Sequence, residues 1–350
     1  MEDEVIRIDK LVKRFRHGVV AVDNLDLNVL PGQVLGLAGP NGSGKSVTIR
    51  SMLGLLRPTS GTVELFGQRM RPGARVLSRV GALVDGPGFV PDLSGADNLL
   101  LAARTSGRNV TAEHLDEAID LASLGSALDR PYATYSHGMR YRLGLARALL
   151  SWPELLLLDE AATGLDPLQA SEVRRRVSNT ASEHGTTVVY ACHQLSEVEE
   201  ICTHVAVMRA GRLVVSGPID DVLGKGNTLQ VDTPDPPAAM SAMRTFPGVA
   251  SMRVVDHSLI VALSPTSDLH RSHGIGSAIG VEGAEQRDLS EMMRRLEDAH
   301  VLVNSVRRGL NLDLVYEQLV GGTRIAAERD CVSEPIPAAE ETPVHATVTQ

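Results

Sequence analysis

Two adjacent carboxylates, Asp159 and Glu160, end the apolar run LLLL (155–158), and a third, Asp166, follows six residues after Glu160. A continuous run of this kind fits a strand buried on both faces, as in a parallel sheet. Charge at the rim of such a core is unfavourable unless something compensates it. The segment QVLGLAGPNGSGKS (33–46) supplies matching chemistry: an apolar strand, a glycine-rich turn and the start of a helix. Gly39 to Ser46 satisfies G-x-x-x-x-G-K-[ST], a phosphate-binding loop. Gly39, Gly42 and Gly44 let the backbone wrap with its N–H groups inward, including at positive φ, and Pro40, Asn41 and Ser43 complete the turn. A helix starting near Lys45 and running on through Val47 brings the positive end of its dipole to the phosphates. Lys45 supplies mobile charge to the β- and γ-phosphates, and the Ser46 hydroxyl can ligate Mg²⁺. Asp159 would hold that ion directly or through water, and Glu160 would orient or deprotonate the water attacking the γ-phosphate.

These groups need a scaffold. Residues 5–30 and 62–66 alternate apolar and polar, which predicts a small antiparallel sheet. The phosphate-loop strand, the four-leucine strand and TTVVYAC (186–192) predict a central parallel sheet wrapped by helices. GADNLLLAARTSG and TAEHLDEAIDLASLGSAL, within 95–128, read as helices. VDTPDPPAAM marks a break, after which residues 227–306 read β-α-β-β-α-β, a ferredoxin-like α+β order. Residues 323–350, rich in Ala, Glu, Pro and Thr, read as a disordered tail. HRSH (270–273) has metal-binding residue types but, without a further ligand cluster, reads as an exposed loop, and MRRLEDAH is an ordinary solvated helix face.

The 350 residues carry a formal net charge of −9, which argues against a general nucleic-acid binder. No apolar segment reaches the roughly 18–20 residues needed to span a bilayer, and the start MEDEVIRIDK is not a secretory signal. Cys192, Cys202 and Cys331 have neither metal-ligand nor disulfide spacing and read as reduced cytoplasmic thiols.

With these motifs in this order, the chain resembles the nucleotide-binding subunit of ATP-binding cassette (ABC) transporters over about residues 4–220. YSHGMRYRLGLARALL (135–150) resembles the segment that separates ABC proteins from other P-loop ATPases. Ser136 is a natural N-cap there and Gly138 permits close backbone approach. The resemblance implies a RecA-like P-loop core with an antiparallel β-subdomain and a helical subdomain at about 88–150, together residues 1–223; the β-α-β-β-α-β pattern beyond the break reads as an accessory domain at 224–322. It implies ATP and Mg²⁺ as ligands, and a homodimer or paired cassette in which Ser136 and Gly138 face the opposite subunit's ATP. A separate multi-helix permease would hold the chain at the cytoplasmic face of the membrane. His193 matches the switch histidine that contacts the γ-phosphate, and Asp166, in GLDP, the loop linking the two sites. Phe15 aligns with the aromatic that stacks on adenine, a core position in an antiparallel strand being the alternative.

Three positions depart from the family pattern. Asp85, in VGALVDGPGFVPDL, stands where a glutamine is usual. A carboxylate can still serve as a catalytic-site metal ligand but adds negative charge; an acid followed by G-P-x-F-x-P-x-L is similar to bacitracin-resistance and lantibiotic-immunity exporters. His137 replaces the signature's first glycine, and Ala161 stands where proline is frequent. LNLDLVYEQLVGG (310–322) resembles the closing helix of drug-export cassettes, including the daunorubicin-resistance type. The resemblance thus implies the ATPase of a drug or peptide-antibiotic exporter. The alternatives are an ABC ATPase that remodels ribosomes or nucleic acid, and a nucleotide-binding module without turnover.

Overall fold

The computed structural model describes residues 4–86, 88–106, 110–161, 165–224, 228–246, 248–263 and 282–321. The HRSH segment, Gly164 and the terminal segment 323–350 lie outside them. The chain begins with β1 (Ile6–Arg14), β2 (Val20–Val29) and β3 (Val34–Ala38), and α1 (Lys45–Met52) follows the phosphate loop. Then come β4 (Ser60–Leu65), β5 (Gln68–Arg69) and β6 (Val80–Leu83), followed by α2 (Gly95–Thr105), α3 (Ala112–Ala122) and α4 (His137–Leu149). β7 (Leu155–Asp159), α5 (Pro167–His184), β8 (Thr187–Cys192), α6 (Leu195–Ile201), β9 (His204–Arg209), β10 (Arg212–Pro218) and α7 (Ile219–Val222) complete this part. The remainder is β11 (Thr228–Asp232), α8 (Pro236–Met243), β12 (Val249–Val255), β13 (Ser258–Leu263), α9 (Glu282–Asp298), β14 (Ser305–Arg308) and α10 (Leu312–Gly321).

A six-stranded sheet, ordered β10-β9-β3-β8-β7-β6, is the platform for the site. All its pairings are parallel except β9 with β10, a hairpin turned by Ala210 and Gly211, both at positive φ. The four leucines of β7 are fully buried, and they serve two cores. Leu156 and Leu158 face a cluster with Val173 and Val177 of α5, whereas Leu155 and Leu157 face one with Ile49 and Met52 of α1. Alternation with both faces covered is why the strand reads as an unbroken apolar run. At about 1.5–3 kcal/mol per fully buried leucine, this strand is among the strongest anchors of the fold.

The first ladder, β2-β1-β4-β5, is antiparallel and packs over the α1 side of the platform. α2, α3 and α4 share a separate cluster that includes Leu99, Ala118 and Leu143. Each starts at a side-chain cap: Ser94 accepts from the Asp97 N–H, Thr111 forms a capping box with His114, and Ser136 accepts from the Met139 N–H.

The third sheet has the order β12-β13-β11-β14 with every pairing antiparallel, the ferredoxin-like arrangement. Ala239 and Met243 of α8 and Met292 and Leu296 of α9 pack with Leu229, Val231, Leu259 and Val261 of its strands. Residues 224–322 nevertheless do not all pack together. Leu312 and Val315 of α10 are buried in the platform's own cluster, beside Val198, Cys202 and Leu223, and the Glu199 carboxylate of α6 accepts from the Leu312 N–H. The final helix thus straps the third sheet to the platform.

Candidate nucleotide site

Parallel strands bring their carboxyl ends to one edge, where ligands of such sheets bind. In register, Leu37 lies beside Ala191, and Ala191 beside Asp159. The phosphate loop after β3, Glu160 after β7 and His193 after β8 therefore leave the sheet side by side. Leu83 of β6 pairs with Leu158, which puts Asp85 at the same edge.

The loop has the shape of a cradle. Gly39, Gly42 and Gly44 all have positive φ, at 145°, 79° and 108°. A Cβ on Gly39 would lie 2.2 Å from the Met208 carbonyl oxygen, and one on Gly44 would lie 2.5 Å from that of Ala21. Both positions require glycine twice over, for conformation and for space. Lys45 is buried and folds back onto the loop: its Nζ donates to the carbonyls of Gly39 (2.7 Å) and Pro40 (3.2 Å). Burial lowers its pKa, while the negative groups around it, led by Glu160, oppose that shift. The Ser43 Oγ is buried with no hydrogen-bond partner among the described residues. An orphaned hydroxyl inside a glycine cradle suits a ligand rich in acceptor oxygens, such as a triphosphate.

Ser46 and Asp159, 113 residues apart in sequence, meet here, with the Ser46 Oγ donating to Asp159 Oδ1 at 3.1 Å. Burial raises the Asp159 pKa, as do Glu160 and Asp85, whereas the Ser46 hydrogen bond and Arg50 lower it. A partly buried carboxylate pushed this way seeks a cation, and the hydroxyl–carboxylate oxygen pair is the hard donor set that Mg²⁺ prefers. Glu160 adopts φ 51°, its N–H donates to the Ala191 carbonyl (2.9 Å), and its Oε1 lies 3.9 Å from His193 Nδ1. β8 is held behind that histidine by the fully buried Tyr190, whose hydroxyl donates to Glu197 at 3.0 Å.

Other expected site residues sit differently. Asp85 lies in a bidentate ion pair: Arg50 Nε donates to its Oδ2 at 3.0 Å and Nη2 to its Oδ1. Asp166 caps α5 by accepting from the Gln169 N–H (3.0 Å). Gly138 admits the side chain of Gln169, because a Cβ there would lie 2.2 Å from its Oε1. His137 is exposed and packs on Tyr141, with ring centroids 4.8 Å apart. Phe15 is no core residue: it is 42% exposed in the β1–β2 turn, with the Lys13 ammonium 5.2 Å from its ring centroid. β2 leaves that turn and reaches the cradle at Ala21. Val47 is partly buried against the α1 side of the core, and Ala161 is buried in the opposite cluster. Arg50 escaped the sequence reading. Its i+4 spacing from Ser46 was the available signal, but such spacing is ordinary in helices.

A model of the ABC transporter family matches residues 22–163. The bacitracin transport ATP-binding protein of Bacillus licheniformis is 40% identical over 201 residues, which are 57% of this chain and 65% of that protein. The daunorubicin/doxorubicin resistance ATP-binding protein of Streptomyces peucetius is 33% identical over 340 residues, covering 94% of this chain and 98% of the relative. Among solved structures, a dimeric post-hydrolysis state of the ATP-binding cassette MJ0796 with ADP and Pi superposes with a TM-score of 0.56. It covers 61% of this chain and 98% of that one, and at 21% identity the likeness is one of fold. Similarity along almost the whole length of a drug-resistance ATP-binding protein, added to this cradle and these aligned strand ends, places the chain in the ABC transporter family as an ATP-binding and ATP-hydrolysing subunit.

Proposed function

We propose that two copies of this chain close head to tail on two ATP molecules, and that hydrolysis drives efflux of a drug or peptide antibiotic through a separate membrane-spanning subunit. The observation that carries the reading is the meeting of Ser46 with Asp159 beneath a phosphate cradle, with Glu160 and His193 alongside. The cradle's N–H groups and Lys45 hold the β- and γ-phosphates. Ser46 and Asp159 would hold Mg²⁺, which when bound would neutralise charge on the phosphate oxygens. Glu160 takes a proton from the attacking water, and His193 orients the catalytic groups from 3.9 Å away. Ser136 and Gly138, at the start of α4, complete the site of the opposite copy; Asp166 links the two sites and Phe15 stacks on adenine. Residues 1–223 form the nucleotide-binding part and 224–322 the accessory part.

The docking site for the membrane subunit is a groove of about 350 Å³ between the edge strand β6 and helices α2 and α4. Phe89, Val90 and Leu101 line it, and Val90 and Leu101 are 42% and 41% exposed. Apolar side chains exposed in a groove beside polar ones suit a short amphipathic helix. No helix among the described residues is long and apolar enough to cross a membrane, so this reading requires a partner at the cytoplasmic face. The cargo class follows the relatives, one named for bacitracin transport and one for daunorubicin/doxorubicin resistance. The test is co-expression with a multi-helix membrane protein encoded beside it, followed by reconstitution into vesicles. The proposal expects co-purification and ATP-dependent movement of bacitracin or daunorubicin that Glu160→Gln abolishes. Purification with RNA-rich complexes and no membrane partner would overturn it.

A further inference from the structure

Arg50 lies one helical turn beyond Ser46 on α1, so both side chains leave the same face of the helix that ends the phosphate cradle. Its guanidinium fork engages both oxygens of Asp85, the geometry that makes arginine–carboxylate pairs strong and directional. Asp85 itself sits at φ 58°, a left-handed conformation that aspartate tolerates better than most residues. The segment it opens is tied at its other end by a second arginine. Arg147 of α4 donates to the Gly88 carbonyl at 3.3 Å and lies 4.8 Å from the Phe89 ring centroid.

We propose that Arg50 is the positioning residue for Asp85, and that the Asp85 carboxylate serves as its anchor instead of as a magnesium ligand. Two physical arguments carry this. The guanidinium occupies one lone pair of each oxygen and neutralises the carboxylate, so a metal there would have to share it with a cation already held beside it. The edge already holds Asp159 and Glu160, and a third carboxylate facing an anionic nucleotide is tolerable only with its own counter-charge. Arg50 provides that charge. It also fixes where the segment leading to the groove leaves the sheet, so that α1 grips the phosphates at its start and this segment one turn later. The link onward to a membrane partner rests on the function proposed above; the charge balance does not.

A double-mutant cycle in the non-hydrolysing Glu160→Gln background tests it, read as the affinity of the purified chain for a fluorescent ATP analogue with Mg²⁺ or EDTA. Arg50→Ala should weaken binding about five- to tenfold, and Arg50→Ala/Asp85→Asn should return it to within about twofold of the parent. Asp85→Asn alone should stay within about threefold and keep the parent's Mg²⁺ dependence. Arg50→Lys, which keeps the charge but loses the fork, should fall between, and it preserves the test should the alanine variant melt early. If Asp85→Asn erases the Mg²⁺ dependence, Asp85 is a metal ligand, and if it fails to rescue Arg50→Ala, Arg50 acts other than through Asp85; either result overturns the proposal. Because the isolated chain is measured, failure of the transport reading would leave this result unchanged.

Discussion

The neighbouring strands β7 and β6 each lead to a carboxylate at the same edge, β7 ending in Asp159 and β6 followed two residues on by Asp85, and both turns carry a residue at positive φ, Glu160 at 51° and Asp85 at 58°. They resolve the cost of that charge in opposite ways. Asp159 has the Ser46 hydroxyl at 3.1 Å and Arg50 near enough to oppose the shift, yet burial still raises its pKa. Asp85 finds a guanidinium on two oxygens. One carboxylate is left in want of a cation, and the other is satisfied inside the protein. An acid at the end of a buried strand is therefore no sufficient mark of a metal ligand; what decides is whether the fold has already supplied its counter-charge.

Substitution should separate the two most strongly in metal-dependent binding. Asp159→Asn is expected to weaken Mg²⁺–ATP binding by about 10- to 100-fold, the scale on which metal sites respond to losing a holding group. Asp85→Asn, measured by the same calorimetric titration, should change it by no more than about threefold. Equal losses would erase the contrast.

In the chain without nucleotide, the two changes should move stability in opposite directions. Removing the cation-seeking charge of Asp159 should raise Tm, as is common where a functional site carries a destabilising group. Breaking the Arg50–Asp85 pair should lower stability by about 0.2–1 kcal/mol, since both side chains are partly exposed. Paired thermal melts decide both signs.

The smallest effect is in pH dependence. The Asp159 carboxyl releases its proton at higher pH in the folded chain than in the unfolded one, chiefly because it is buried. Its contribution is thus fully present below the unfolded carboxylate pKa and is lost as pH rises through the raised folded value. The difference in stability between the parent and Asp159→Asn should accordingly grow, against the parent, from acid toward neutral pH. A difference that is flat, or shrinks, would show that Asp159 is not held in this way.

Much of this was legible before any coordinates. Gly39-to-Ser46 and the four leucines before Asp159 are patterns whose physics is local: a backbone conformation, a strand with two covered faces. The ferredoxin-like order of residues 228–308 was equally readable, since each element carries its own periodicity. What stayed hidden depends on partners distant in the chain. β6 is only four residues long, too short for its periodicity to speak. Nothing in Arg50 announces Asp85, 35 residues away. The closing helix, read by position with the third sheet, buries Leu312 and Val315 in the platform's cluster with Val198 of α6 and Ile219 of α7. Gly138 was expected to clear space for a partner's nucleotide, and in this chain it first makes room for Gln169.

The most direct test is phosphate release by the purified chain beside its Glu160→Gln variant, with ATP affinity measured on both. A carboxylate that deprotonates the attacking water predicts a loss of about 100-fold or more in release, with affinity kept within about twofold. Release continuing near the parent rate in Glu160→Gln would contradict the account at its centre.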